Sequence, residues 1–413
     1  MRQILRAIAA LFAVAALTGC GTVAFADHGP GDGSGSSGSG SAEEQGGHHE
    51  AGDDHGGQQQ AGDDHGAKHE AGADRHDNQG PGNDEDDDAQ PADVYTLAEP
   101  EHGNPEGVAF DKRSGFFFVS ATGDGSIYRG KLGDTATPVP VFIPGAAGQS
   151  ATGLKVQRGK LYAAGASTGT IKVYDVNSGA LLATFDTKGG DSSPTFVNDL
   201  DVTKRGDVYA TDSKRPAIYH LTAEEIAAGT PAARPIDPDD VISTSPEIPF
   251  NAAPTAFNLN GIVVDDDRGD DEGHHGGKGG HHGRHEGRRR DELIVIDSDT
   301  GQLFRVKVGK NGNATRKIRE LKVKGGPFKG GDGLLIDRGR LIVVQGSADG
   351  FPNGVVNFIK LRHGGRKAEL DDQRTDASFR GPSTIARARD QYLVVNPDFT
   401  TSTPPFTVTG LSR

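Results

Sequence analysis

From residue 92 onward the chain is written in short runs of Val, Ile, Phe, Tyr and Leu, alternating with polar positions and separated by Gly, Asp and Asn. Alternation of this kind predicts half-buried β-strands joined by tight turns. Only TAEEIAAG, at 222–229, suggests a helix, so the region reads as all-β. The runs also repeat. A small polar start, an apolar strand, a tight turn and a second strand recur in PEGVAFDKRSGFFFVS from Pro105, ATGLKVQRGKLYAAG from Ala151 and VNDLDVTKRGDVYATD from Val197. LNGIVVDDD from Leu259, resumed by DELIVIDSDTGQLFRVKV, then GDGLLIDRGRLIVVQG from Gly331 and GPSTIARARDQYLVVN from Gly381, bring the copies to six.

The steps between copies are about 46 residues, and the longest shortens to about 50 when a His-rich island at 265–290 is set aside. That is the repeat length of a propeller blade, and six units of four strands close into a ring with only short, protected edges. The predicted fold is a six-bladed β-propeller over 93–413. Its last copy is short of strands, so DVYTLAEP, at 93–100, is expected to supply an outer strand there and latch the ring.

In a propeller the first strand of each blade lies innermost, so the residue that starts it lines one mouth of the central channel. Aligned by repeat, these positions hold Glu106, Thr152, Asn198, Asn260, Asp332 and Ser383 or Thr384. Two carboxylates and two amides converging on one axis are oxygen ligands for a hard divalent cation such as Ca²⁺, Mg²⁺ or Mn²⁺. The plainer reading is turn chemistry, since Asn-Gly and Asp-Gly are common tight-turn pairs. Asp124 with Gly125 and Asn353 with Gly354 read that way, whereas Glu106, Asn198, Asn260 and Asp332 precede the innermost strands in register and form the candidate metal site. Asp212 and His220 read as a turn cap and a strand-end histidine. Loops 120–126, 211–216 and 345–354 open on the same mouth and are candidates for substrate contact, while the His-rich island hangs from the opposite one.

PEGVAFD, VNDLDVTKRGDVYATDS, LNGIVVDD and GDGLLIDRGRLIVVQG, in that order and spacing, resemble the SMP-30, gluconolactonase and luciferin-regenerating-enzyme family of six-bladed propellers, through most of 93–398. The resemblance implies a divalent metal in the channel, calcium or zinc, and lactone ring opening as the reaction. Glu106 matches that family's first-blade Glu, Asn198 the Asn of its Asn-Asp motif, Asn260 the Asn of its Asn-Gly motif and Asp332 the Asp of its Asp-Gly motif, the last implied to be both metal ligand and general base. There are departures. Phe196 stands where the family's lactonases commonly carry a substrate-gripping Arg, and Val108 and Ala109 follow Gly107 where Pro and an aromatic are usual.

The rest of the chain changes the picture in three ways. Arg2 and Arg6 precede an apolar run, Ala7 to Leu17, too short to span a bilayer, which predicts an export signal over 1–26. Leu17 to Cys20 resembles a bacterial lipobox, which would make Cys20 a lipid anchor; Ala24 to Ala26 alternatively fits ordinary cleavage after Ala26, giving a soluble secreted chain. From 27 to 92 the sequence is Gly, Ser, Asp, Glu, His and Gln with almost no aliphatic residue, and it is predicted to be a disordered tether. Its histidines, among them His49, His55, His65, His69 and His76, could chelate Zn, Ni or Cu, though a solubilising spacer has the same composition. The formal charge of −14 removes the electrostatic case for nucleic acid, and the single cysteine, Cys20, removes an internal disulfide.

The expected function is an exported, monomeric, metal-dependent hydrolase of lactones or related esters, with Ca²⁺ the favoured cation, Zn²⁺, Mg²⁺ and Mn²⁺ the others, and Asp332 the catalytic base. No cysteine lies outside the export signal, which leaves an acyl-enzyme route without a thiol nucleophile. A propeller that binds a small-molecule ligand or a partner at the cell surface without chemistry is the alternative, favoured by Phe196. A metal-buffering protein acting through the His-rich tracts is a third.

Overall fold

The computed structural model describes residues 92–265, 291–309, 317–362 and 367–413; the export segment, the tether up to residue 91 and residues 266–290 of the island lie outside these. Six sheets follow one another along the chain. Blade 1 runs outward through Pro105–Asp111, Phe116–Ala121, Ile127–Lys131 and Val141–Ile143. Blades 2 to 6 start on Leu154–Gln157, Val197–Val202, Leu259–Val264, Gly331–Asp337 and Ile385–Ala388. Blades 2 and 5 depart from the expected four strands. Each gains a fifth, outermost strand that pairs in parallel: Ala233–Pro235 reaches blade 2 from the excursion between the third and fourth strands of blade 3, and Val323–Lys324 reaches blade 5 from the linker that precedes it.

Local chemistry accounts for the turns. Gln157 pairs with Lys160 and Asp337 with Arg340. Between them stand Arg158 and Gly159 at φ 52° and 78°, and Arg338 and Gly339 at φ 50° and 72°. Two consecutive positive φ values give the turn whose twist matches a two-stranded ribbon, and glycine removes the strain at the second position. The helix read from the sequence is present as Ala223–Ala228, with Thr222 and Glu225 forming a capping box.

The core is divided among the blade interfaces. Phe185 of blade 2 packs with Leu200 and Tyr219 of blade 3, and Tyr209 of blade 3 with Leu293 and Phe304 of blade 4. Ile294 of blade 4 meets Leu341 and Ile359 of blade 5, and Phe358 of blade 5 meets Tyr392 and Leu411 of blade 6. Phe118 of blade 1 meets Leu161 and Tyr174 of blade 2. The sixth cluster joins Leu393 and Val408 of blade 6 to Phe117 and Tyr128 of blade 1, so the ring is closed.

The latch is at that last interface. Asp93–Thr96 pairs antiparallel with Thr407–Ser412 as the outermost strand of blade 6. The chain then crosses to blade 1, where Ala98 N–H donates to the Val139 carbonyl and Val139 N–H to Thr96, both near 2.9 Å. Tyr95 is fully buried, edge-on to Phe117 with ring centres 4.9 Å apart. Truncating such an aromatic costs about 3–5 kcal/mol. Urea unfolding of Tyr95→Ala should show a loss of that size, and a stability within about 1 kcal/mol of wild type would mean the ring does not depend on the latch.

Candidate functional site

The four candidate ligands share one local device. In blade 1 the ladder pairs Pro105 with Ala121 and next Val108 with Val119, so Glu106 and Gly107 together oppose Ser120. In blade 3 the pairs are Val197 with Asp212 and Leu200 with Ala210, leaving Asn198 and Asp199 opposite Thr211. Asn260 with Gly261 and Asp332 with Gly333 are displaced in the same way in blades 4 and 5. A β-bulge adds one residue to a strand and re-aims its side chains. Blades 2 and 6 start without one, at Leu154 and Ile385, and carry Thr152, Ser383 and Thr384 just upstream. Those hydroxyls serve the ring instead: Thr152 Oγ1 donates to the Val197 carbonyl at 3.0 Å, and Ser383 Oγ and Thr384 Oγ1 both donate to the Glu106 carbonyl at 2.7 Å.

The glycines of these pairs are not turn glycines. A Cβ on Gly107 would lie 2.2 Å from the Thr152 carbonyl oxygen, and one on Gly261 would lie 2.2 Å from that of Asp332. They let the innermost strands of neighbouring blades touch backbone to backbone. By contrast Gly125 and Gly354, at φ 80° and 113°, are the tight-turn glycines that the sequence indicated.

At the channel mouth Glu106 and Asn198 are each 4 % exposed and Asn260 8 %. Glu106 Oε2, Asn260 Oδ1 and Asp332 Oδ1 are sealed from solvent and have no hydrogen-bond partner. Buried oxygens normally find one, and three such oxygens at aligned strand starts could serve a cation as ligands. Asn260 also contacts the Asp332 carboxyl through its side chain. Asn198 Nδ2 donates to Ser213 Oγ at 2.8 Å, and Ser213 Oγ donates to the Leu259 carbonyl, which holds the amide oxygen in a fixed orientation.

Asp199, which the sequence reading passed over as half of an Asn-Asp pair, adds a third buried carboxylate at 4 % exposure. It accepts from Leu200 N–H at 2.8 Å and lines, with Lys155, Gly333 and Thr384, a cavity of about 10 Å³ between the innermost strands, room for about one water. Burial pushes the Asp199 carboxyl up to about 6, with the nearby Lys155 charge opposing. Burial, reinforced by the charge of Asp199, pushes Asp332 up to about 8. Glu106 is raised well above the carboxylate range, first by burial and then by Asp332 and Asp199.

A second acidic group stands at the rim of the same mouth. Ligand atoms of Glu99, Glu101 and His102 lie within 4.8 Å of one another, and His102 Nδ1 is 2.7 Å from Asp124 Oδ2. The closely spaced Glu99, Glu101 and His102 of EPEHG were its only sequence signal. Asp212 is a turn cap: Oδ1 accepts from the N–H groups of Phe196 and Lys214 at 2.9 and 2.8 Å, and Oδ2 accepts from Tyr219 at 2.8 Å. His220, 3 % exposed, stacks on Tyr209 within blade 3, away from the site.

No family model matches the chain, and no curated protein matches it. Among solved structures it is similar to a luciferin-regenerating enzyme, at 12 % identity over 78 % of this chain and 95 % of that one, with a TM-score of 0.49. It is also similar to regucalcin, a calcium-binding protein of Agrobacterium tumefaciens, at 15 % identity over 77 % and 95 %, TM-score 0.48. A gluconolactonase of Xanthomonas campestris stands at 16 % over 78 % and 90 %, TM-score 0.46. At these identities and TM-scores the likeness adds nothing to the six-bladed architecture that the sheets themselves show.

The raised carboxyls fix the sign of the pH dependence. A folded chain whose carboxyls titrate near 6 and 8, against 3.8 ordinarily, holds protons that the unfolded chain releases. The stability these two carboxyls contribute without added cations is therefore fully present below the ordinary carboxylate range and is lost as pH rises through 6 and 8. In chelator, Tm should fall by roughly 5 °C or more between pH 5 and pH 8.5, and Asp332→Asn should flatten that slope. A Tm independent of pH in both proteins would show that these carboxyls are not sealed together.

Proposed function

We propose that the channel mouth binds one divalent cation, Ca²⁺ favoured, through Glu106, Asn198, Asn260 and Asp332, and that the protein is an exported hydrolase of lactones or related esters. The observation that carries this reading is the trio of buried, partnerless oxygens on Glu106, Asn260 and Asp332 at aligned bulges of three blades. A cation held there would supply Lewis-acid polarisation of a substrate carbonyl.

The chain's own residues supply the remaining work. Glu106, Asn198 and Asn260 fix the site from three separate blades, and the closed ring holds their spacing while substrate exchanges. Asp332, placed by its bulge at the mouth, takes a proton from the attacking water as the new bond forms between water oxygen and carbonyl carbon. That proton then passes to the ring oxygen as the ring C–O bond breaks, which regenerates Asp332 and leaves a hydroxy acid. Thr152, Ser383 and Thr384 hold the innermost strands of blades 2, 6 and 1 through backbone carbonyls and take no part in the chemistry.

The second reading, a ligand-binding propeller without chemistry, is favoured by Phe196 in place of a substrate-gripping cation. Two measurements separate them. Calorimetric titration with Ca²⁺ should give one site per chain that Asp332→Ala and Glu106→Gln each weaken at least about tenfold, and equal titrations would rule out the channel site. On a panel of lactones, wild type should turn over at least one substrate, with Asp332→Ala slower by about 10²-fold or more. Equal inactivity of the two proteins would leave ligand binding as the function.

A further inference from the structure

Beside blades 3 and 4 the rim above the candidate ligands is aromatic, unlike the acidic stretch of Glu99, Glu101 and His102 before blade 1. Phe196 lies two residues before Asn198 and Phe257 three before Asn260, and their rings meet edge to face, 5.1 Å apart and at 86°. Ser213 ties this pair to the site. Its N–H donates to the Phe196 carbonyl at 2.9 Å, and its carbonyl accepts from Asn258 N–H at 3.1 Å and Asn258 Nδ2 at 3.0 Å. Its hydroxyl accepts from Asn198 Nδ2 at 2.8 Å. The two rings thus stand one hydrogen-bonded residue away from a candidate ligand.

The cation in this neighbourhood does not offer itself to a substrate. Lys214 Nζ sits 4.0 Å from the centre of the Phe257 ring and donates to the carbonyls of Pro254, at 2.9 Å, and Ala256. A ring face and two carbonyls satisfy the ammonium. The other loops on this mouth continue the pattern. Phe250 precedes blade 4 at 37 % exposure, and half-buried Phe351 and Phe399 stand on the loops between Gln345 and Val355 and between Asn396 and Thr407. Each joins strand ends on the side where Glu106 and Asp332 begin their strands.

We infer that Phe196 and Phe257 form one wall of the substrate site, and that the substrate carries an aryl or branched-alkyl substituent beside its carbonyl rather than a polyhydroxylated chain. An aromatic edge-to-face pair accepts a third ring in the same geometry and gains from removing its apolar surface from water. Sugar hydroxyls laid on the same surface would lose water without finding donors or acceptors. This inference rests on the hydrolase reading for turnover but not for binding.

The test uses the full-length protein with saturating Ca²⁺ and two probes, γ-phenyl-γ-butyrolactone and glucono-δ-lactone, read by kcat/KM and by ligand-observed NMR. Wild type should favour the phenyl lactone. Phe196→Ala and Phe257→Ala should each reduce that preference about tenfold or more while keeping their Ca²⁺ affinity. Phe351→Ala, on a separate loop, gives a smaller change in the same direction and covers the case in which the wall variants fail to fold. A wild-type preference for glucono-δ-lactone, or a preference unmoved in folded variants, overturns the wall while leaving the hydrolase reading intact. If neither lactone is turned over, that reading fails by itself. Phenyl lactone binding that is lost in Phe196→Ala would then still uphold the wall, and no binding would end both.

Discussion

Glu106, Asp199 and Asp332 repel one another across the end of a channel that water scarcely reaches, and the rest of the molecule is arranged to withstand that repulsion. Burying a carboxylate without a donor is among the least favourable things a fold can do, and the usual outcome is protonation. Burial shifts all three toward the neutral form, Asp199 to about 6 and Asp332 to about 8, with Glu106 raised well above the carboxylate range. What keeps the side chains in place is not any attraction among them but the six apolar clusters between blades. These fix the strands that carry the carboxyls and close the ring at Tyr95. The arrangement makes chemical sense once the oxygens are regarded as a donor set held ready for a charge of opposite sign.

Much of the fold was legible before any coordinates. The six copies and the latch followed from alternation and spacing, and the helix from the run TAEEIAAG, because those features are local or repeat at a fixed period. The fifth strands of blades 2 and 5 were not legible. Ala233–Pro235 and Val323–Lys324 are only three and two residues long, and they pair in parallel with a strand already placed. Nothing in so short a run shows which edge it will find. The starts of the innermost strands were readable as positions but not as geometry. Glu106-Gly107, Asn260-Gly261 and Asp332-Gly333 have the composition of turns, and the plain reading of such pairs is a turn. The bulges depend on the partner strand of each blade, and the 2.2 Å approach that excludes a Cβ depends on the neighbouring blade, on Thr152 at Gly107 and on Asp332 at Gly261.

Asp199 illustrates the same limit from the other direction. Its neighbour Asn198 drew attention as the strand's odd residue, and Asp199 reads as its companion. Only the packing of Leu154, Gly333 and Thr384 around the axis shows it to be a third charge sealed near the other two. Lys155, one residue into the strand of blade 2, opposes that charge. It lies within 3.9 Å of Asp201, so it is shared between two carboxylates instead of neutralising one. A sequence can say that an acid is present; how many acids share one volume of low polarity is a property of the closed ring.

The two mouths of the channel have been given different work by the direction of the strands. Every blade begins at the site, runs away from it and returns, so first-to-second strand turns fall at the far mouth and second-to-third turns at the near one. Apart from blade 4, whose first two strands are joined through the stretch between Val264 and Glu292, these far turns are short and built for geometry, as at Arg158-Gly159 and Arg338-Gly339. The near loops are longer and carry Phe250, Phe257, Phe351 and Phe399. Loop variation on a rigid ring is the ordinary way a propeller changes what it binds, because the ring's stability lies between blades and not in its loops. Phe196 belongs to that same layer. A change there alters what can rest against the mouth while leaving Glu106, Asn198, Asn260 and Asp332 where their bulges put them. The proposed ligand set and the proposed substrate wall are thus separable in this fold: one is set by register within the blades, the other by side chains hung from their ends.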